Sequence, residues 1–500
     1  MKKIKKEIKS HKLVYILLFL TLAFALFLRV WRVDKVLGFY FDQGRDALVV
    51  WDFWHQGKLF LIGPTTGIAG IFRGPYYYYL IAPFYLIGNG NPVFPSVFLA
   101  ITTVLSIYIL YVLGKLAGSR ASGLIAAILA ACSFYIVLAG RWLSNPTPML
   151  FLSMALVFAL FKILDGKKNY WMVVSLVSGL SLSSFGSAGE VFYFPAILIF
   201  AIWQRKNLPT KKIFLISSFL FFLTVAPQLL FDLKHHGILS ENVKKFLVDD
   251  KSFKVNFWDV ANQRLNFYYD VFTSKIFHWR RVREITLLRI VGLAFLIFLP
   301  QFLKNKKIKT LLILLITPMV GLLFFQGNFG NIYDYYLTGY YQIFILLFAI
   351  ILGRVWQYKI GKIFIIYFFY VFLTVSLDVL RYKLSDNLDG PETIEFGNER
   401  EAVDWVYKDA KGIPFSTDVY VPPVIPYAYT YLFAWMGNSV YGYVPSNDQI
   451  DPLYTIYEVD PPSPDRLEAW LKRQKGIGKV EKEVHFGGIT VQKRTRIQAK

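Results

Sequence analysis

Eleven runs of mainly apolar residues decide what this chain can fold into. They lie at 13–31, 93–113, 121–140, 147–164, 170–186, 190–203, 212–231, 286–303, 309–326, 336–353 and 362–380, the run at 190–203 being the shortest. Crossing a hydrocarbon core of about 30 Å takes ~20 such residues as a helix. Inside it no backbone N–H or C=O can turn to water, so each crossing run has to be helical. Charged residues are only 18% of the 500, while apolar ones reach 55% and aromatic ones 18%. Soluble proteins carry roughly 25% charge, so this balance excludes an ordinary soluble enzyme and a disordered chain. The single cysteine, Cys132, excludes an internal disulfide framework and reads as packing within its run.

The net charge of +22 would suit a polyanion partner, but its placement reads as topology. Lys2, Lys3, Lys5, Lys6, Lys9 and Lys12 precede the first run. Alternate turns then carry Lys115 and Arg120, Lys162, Lys167 and Lys168, Arg205, Lys206, Lys211 and Lys212, Lys304 to Lys309, and Arg354 to Lys362. The opposite short turns are nearly bare. The positive-inside bias therefore expects a cytoplasmic N-terminus, and eleven spans put the C-terminus outside. The first run has no small-residue cleavage site after it and reads as an uncleaved anchor. The expectation is a multi-pass plasma-membrane protein with the bilayer, and no nucleic acid, as partner.

Three stretches would lie outside: a first loop at 32–92, a second at 232–285 and a soluble tail. This divides the chain into a transmembrane domain, 1–380, and an extracytoplasmic domain, 381–500. In the first loop Tyr76–Ile87 is apolar but too short to span, and Pro75, Pro83 and Pro92 break it; it reads as a helix at the interface, its tyrosines at headgroup level. Trp51 to Trp54 reads as the anchor of a second interfacial helix. In the tail 399–410 reads as a helix and 480–495, around Gly487-Gly488, as a β-hairpin. Pro422, Pro423 and Pro426 suggest a rigid connection. The fold class is an all-α polytopic bundle of about eleven transmembrane helices with a small C-terminal α/β domain.

Polar residues near span ends are the functional candidates in such a chain. On the outer side they are Asp42, Arg45, Asp46, Asp52 and Arg73, then Arg141 and Asn145, Glu190, Asp232, His235 and His236, and Asp334. The spans themselves are nearly uncharged, with Arg29, Arg289 and Asp378 near their ends. The stretch from Phe39 to Ala47 is the most informative. If helical, it puts Asp42 and Asp46 on one face beside an aromatic run, and a half-buried carboxylate there suits a general base. The plainer reading is a capped interfacial helix, with Asp42 as cap and Arg45 and Asp46 in water. Tyr333, Tyr335, Tyr336, Tyr340 and Tyr341 read first as an aromatic belt, and otherwise as rings to stack on a sugar or a prenyl chain.

The order of these features resembles the GT-C superfamily of integral-membrane glycosyltransferases, in particular the protein O-mannosyltransferases and lipid A aminoarabinose transferases. One span leads to an outer loop opening on Tyr40-Phe41-Asp42. Arg73-Gly74-Pro75-Tyr76-Tyr77-Tyr78-Tyr79-Leu80 is placed like the family's proline-containing interfacial helix. Pro92 to Arg120 resembles its second span, and Arg141-Trp142-Leu143-Ser144-Asn145-Pro146 its polar turn before the fourth. The likeness covers residues 13–230, and 231–380 by topology only. It implies a polyprenyl-phosphate-sugar donor and a lipid, glycan or protein acceptor, with no cofactor required and a divalent ion left open. It puts the general base on Asp42. The family often has an Asp-Glu pair where this chain has Asp42-Gln43, so Asp46 is the candidate second carboxylate, unless it only pairs with Arg45. Arg73 and Arg141 are candidates for the lipid phosphate, since a planar guanidinium suits it; snorkelling to headgroups is the alternative. Arg45, Tyr76, Asn145 and Glu190 complete the expected substrate-binding set, with Asn145 before Pro146 also readable as a helix start.

Other readings remain. His235-His236 with Asp232 lacks a third ligand at a fitting spacing, and the Walker lysine motif and the Trp-Trp-Asp-Tyr-Gly motif are both absent. A transporter or flippase of lipid-linked saccharides explains many spans without chemistry, but it would place ionisable groups near the midplane. A surface-polysaccharide ligase or polymerase shares the polytopic form.

Overall fold

The computed structural model describes residues 7–68, 70–246, 257–325, 330–422 and 425–497. Lys2, Lys3, Lys5, Lys6 and Pro423 lie outside them. In chain order the helices begin with α1 (Lys12–Val30), α2 (Phe41–Gln56), α3 (Tyr76–Ile87), α4 (Val93–Ala117), α5 (Arg120–Cys132) and α6 (Phe134–Arg141). Next come α7 (Met149–Leu164), α8 (Trp171–Leu180), α9 (Tyr193–Trp203), α10 (Lys211–Lys234), α11 (Ile238–Lys244) and α12 (Phe257–Ser274). Then follow α13 (Val282–Phe302), α14 (Lys306–Leu322), α15 (Thr338–Val355) and α16 (Lys359–Arg381).

Every apolar run is helical. Among the described residues six helices are long and apolar enough to cross a membrane, and the bent pair α5–α6 makes a seventh. The other runs form shorter apolar helices. This is a multi-pass membrane bundle, and α15 is its axis, buried on nearly all sides. A helix that is hydrophobic all round belongs at such a position.

The Trp51 to Trp54 stretch lies within α2, which with α3 is one of the two helices of the first loop. Two expectations need correcting. The third run is not straight: it bends by 65° between α5 and α6, at Ser133. There the Arg29 guanidinium donates to the carbonyls of Ala130 (2.9 Å) and Ala131 (3.2 Å), which the broken helix leaves open. The tyrosines at 336, 340 and 341 do not form a belt at the lipid surface. They are buried, with Tyr340 donating to the Gly189 carbonyl at 2.9 Å and Tyr341 to Asp334 at 2.6 Å.

The tail contains α17 (Phe396–Ala410), β1 (Ser416–Tyr420), α18 (Tyr427–Met436), β2 (Leu453–Glu458), α19 (Pro464–Ile477), β3 (Gly478–Phe486) and β4 (Ile489–Arg496). The sheet order is β1-β2-β4-β3, with β1 parallel to β2 and the other pairs antiparallel. The tail sits on the first long loop. Phe396 and Gly397 donate their backbone N–H to Leu37 (2.9 Å) and Lys35 (3.1 Å), and Trp435 Nε1 donates to the Asn89 carbonyl at 2.7 Å. A Cβ at Gly44 would lie 2.3 Å from the Ala428 nitrogen, so only glycine lets α2 approach α18 this closely. The apolar core runs on from the bundle into the tail.

Candidate active site

At the end of the bundle that carries the tail, Tyr40 precedes helix α2 as its N-cap residue, and its backbone N–H donates to Gln43 Oε1 at 3.2 Å. Gln43 therefore caps the helix, and Asp42 is not needed as its cap. The Asp42 side chain is 60% exposed and pairs with Arg45 Nη1 at 2.8 Å. Asp46 is not in water: its side chain is 6% exposed. Its Oδ1 accepts from Arg45 Nη2 (2.8 Å), Arg45 Nε (3.0 Å) and the Tyr78 hydroxyl (3.0 Å). Burial pushes the Asp46 carboxyl up to about 6, against the pull of Arg45. Arg45 is thus clamped between two carboxylates and also reaches Thr65 Oγ1 at 3.1 Å.

Asp42 and Arg45 open onto a cavity of about 460 Å³, which Arg73, Asn145, Trp142 and Tyr335 also line. Arg73 comes from the loop before α3 and donates Nη1 to the Gly186 carbonyl. Burial pulls its guanidinium pKa down, and the charge of Glu190 opposes this. Asn145 Nδ2 lies 3.5 Å from the Ser184 carbonyl, which belongs to the π-helical turn Ser181–Phe185 that continues α8. That irregular turn and the small residues after it, Gly186 to Ala188, form the floor. Irregular backbone at this depth is tolerated where it lines a cavity.

The remaining expected residues are placed elsewhere. Arg141 is buried, with Nη1 on the carbonyls of Leu28 and Trp31 (3.0 Å each) and Nη2 near that of Val36 (3.4 Å), so it ties α6 to the end of α1. Glu190 is 1% exposed and accepts from the backbone N–H of Ser187 and of Gly339, each at 2.7 Å. It locks the approach to α9 onto the start of α15. Gly189 serves the same junction: a Cβ there would meet the Tyr336 carbonyl at 2.1 Å. The Tyr76 hydroxyl donates to the Leu223 carbonyl at 2.6 Å, away from the cavity. Tyr77 and Tyr78 turn inward rather than to headgroups. The cavity also takes in Trp142, Tyr335 and Tyr336 as walls; the two tyrosines are among the rings expected to stack on a sugar or a prenyl chain, and Trp142 stands in the polar turn after Arg141.

Among the described residues no three His, Cys, Asp or Glu side chains gather to hold a metal ion. Asp232, beside His235-His236, accepts from the N–H of Leu239 at 2.7 Å and from Ser240, capping α11.

Residues 73–231 match the family model described as dolichyl-phosphate-mannose-protein mannosyltransferase. No curated protein matches the chain in sequence. Among solved structures, apo ArnT from Cupriavidus metallidurans superimposes with a TM-score of 0.59 at 9% identity, over 95% of this chain and 97% of that one. The same protein bound to undecaprenyl phosphate gives 0.57 at 10% identity, with the same coverage. The archaeal oligosaccharyltransferase AglB from Archaeoglobus fulgidus, in complex with an inhibitory peptide and a dolichol-phosphate, gives 0.52 at 12% identity, over 98% of this chain and 75% of that one. The chain has the fold of the GT-C membrane glycosyltransferases that its sequence resembles.

Proposed function

We propose that this chain is a glycosyltransferase that moves a sugar from a polyprenyl-phosphate donor to an acceptor hydroxyl on the outer side of the membrane, with Asp42 as general base. One observation carries the reading. Asp42 is the exposed carboxylate of the cavity, held by Arg45, and Arg73 and Asn145 open onto the same space. The undecaprenyl-phosphate and dolichol-phosphate bound in the neighbours support a lipid phosphate as the leaving group. The alternation of basic turns supports an outward-facing site.

The acceptor hydroxyl gives its proton to the Asp42 carboxylate, and its oxygen bonds to the anomeric carbon. The bond from that carbon to the phosphate oxygen breaks, and its electron pair stays on the departing lipid phosphate. Arg73 balances the charge that grows there. Arg45 is a positioning residue: Asp46 and Tyr78 fix it from behind, and it fixes Asp42.

The test is Asp42→Asn in full-length protein in nanodiscs, with a panel of radiolabelled polyprenyl-phosphate sugars. Release of polyprenyl phosphate from one donor should fall by at least about 100-fold, in line with losses of 10²–10⁴ for a positioned base. Unchanged release in a folded variant ends the assignment.

A further inference from the structure

A second cavity, of about 330 Å³, adjoins the first. The two share Trp142 and Tyr335, whose rings pack edge to face with centroids 6.1 Å apart. This pair is the partition between them. On the far side the walls are again aromatic: Tyr135, Tyr341 and Tyr40, the last only two residues from Asp42. Set among these rings is Lys275, whose side chain is 1% exposed. Its Nζ lies 4.3 Å from the centre of the Tyr341 ring and 4.8 Å from that of Tyr135. Asp334 holds it with both carboxylate oxygens, at 2.7 and 3.0 Å, and keeps its own side chain 46% exposed. At the rim Lys383 pairs with Glu395 from the tail.

Nothing in the transfer step uses this cavity, yet it is expensive to build. A buried ammonium has to be paired and hydrogen-bonded to be tolerated. Ring faces alternate with charged groups of both signs, which offer donors and acceptors at their edges. That combination matches a sugar ring, whose C–H faces lie on aromatic planes while its hydroxyls take hydrogen bonds from, and give them to, charged partners. The volume sits at the small end of the ~300–1,000 Å³ range for small-ligand sites. No strand residue lines it, so no sheet edge is offered to an extended peptide.

We infer that this second cavity binds the saccharide end of the acceptor, which makes the acceptor a glycan or a glycolipid whose hydroxyl passes the Trp142–Tyr335 partition to reach Asp42. The inference rests on the transfer reading above. The partly exposed rings of Tyr135 and Tyr40 supply the stacking faces and the half-exposed Asp334 takes the hydroxyls, while the buried Lys275 and Tyr341 hold Asp334 in place.

The experiment uses the full chain in nanodiscs and diazirine-bearing methyl glycosides of mannose, glucose and galactose, with their disaccharides. Photolabelled peptides are mapped by mass spectrometry, and polyprenyl-phosphate release is followed in the same preparation. Label on the peptides holding Tyr135 or Tyr341, displaced by excess unlabelled sugar, is expected. Tyr135→Ala should cut that label at least tenfold, and Tyr135→Phe should keep it. Asp42-dependent release without label there, or with transfer to a peptide hydroxyl instead, overturns the saccharide pocket and leaves the transferase. Label there without any donor release sustains the pocket and removes the transferase. Equal labelling of Tyr135→Ala and the parent protein also overturns the assignment.

Discussion

Asp42 and Asp46 are the same side chain four residues apart on one helix face, yet they are set to different tasks by a residue 32 positions further on. The Tyr78 hydroxyl covers Asp46 and leaves Asp42 open. The sequence carries the pair and its shared face; which member reaches the cavity depends on how α3 docks on α2, and that is a tertiary fact. The same limit applies to Arg141 and Glu190. Both are polar residues at span ends, as a site requires, but backbone partners occupy them, Leu28 for Arg141 and Ser187 and Gly339 for Glu190. Asp46 gives a pH prediction. Its carboxyl is raised from 3.8 to about 6, chiefly by burial. The folded chain therefore binds that proton more tightly than the unfolded one, so the contribution to stability is full below pH 3.8 and is lost as pH rises through about 6. Activity moves the other way. A protonated Asp46 loosens its hold on Arg45, and kcat/KM should climb through a limb centred near pH 6. Asp46→Asn should flatten that limb and lower the plateau about tenfold. A variant profile that still rises with the parental midpoint would remove Asp46 from the linkage.

At the scale of elements, the apolar runs located the apolar helices of the bundle, because length and polarity decide what can lie in a bilayer, but not the amphipathic α11 and α12, which fall in the stretch read as a second outer loop. The break in the third run was not legible. Ser133 is neither proline nor glycine, and the causes lie far off in the chain. Arg29, from α1, takes the carbonyls of Ala130 and Ala131, and Ser133 Oγ donates to the Lys275 carbonyl at 2.7 Å. The bend has consequences at the site, since α6 leads directly to Trp142 and Asn145 on the cavity wall and Lys275 stands in the second cavity. Arg29 is accordingly a structural residue in spite of its charge. Arg29→Leu keeps the apolar volume but leaves these carbonyls without a donor. An orphaned buried group costs about 1–3 kcal/mol. A loss of that size should appear as a lower midpoint of thermal unfolding in detergent. Arg29→Lys, which reaches fewer carbonyls, should fall between the two. A midpoint for Arg29→Leu equal to that of the parent would mean that the helix break is held by Ser133 alone.

Over the whole molecule, the tail's helix and hairpin follow from local pattern, whereas its seat on the first loop does not, because that seat is made by isolated contacts such as Gly44 against Ala428. Through this contact the tail braces the helix that carries Asp42. Three carboxylates lie close to the join. Glu395 pairs with Lys383, Glu458 accepts from the Tyr429 hydroxyl at 3.0 Å, and Glu399 is buried with Oε2 unpartnered among the described residues. Burial raises Glu458 to about 7, and it holds Glu399 well above the usual carboxylate range, with Glu458 and Glu395 adding to the effect. For Glu458 the folded state again keeps the proton better than the unfolded one. Its stabilising contribution is complete below pH 4.5 and is lost as pH rises through about 7. A shift of this size corresponds to about 2–3 kcal/mol after allowance for relaxation. The unfolding midpoint of the intact protein should therefore fall between pH 5 and pH 8, and Glu458→Gln, which keeps the shape and cannot ionise, should flatten that fall. Because the tail braces α2, donor release should decline over the alkaline half of the same range in the parent and less in the variant. If Glu458→Gln tracks the parent in both measurements, the carboxylate cluster does not govern the docking of the tail.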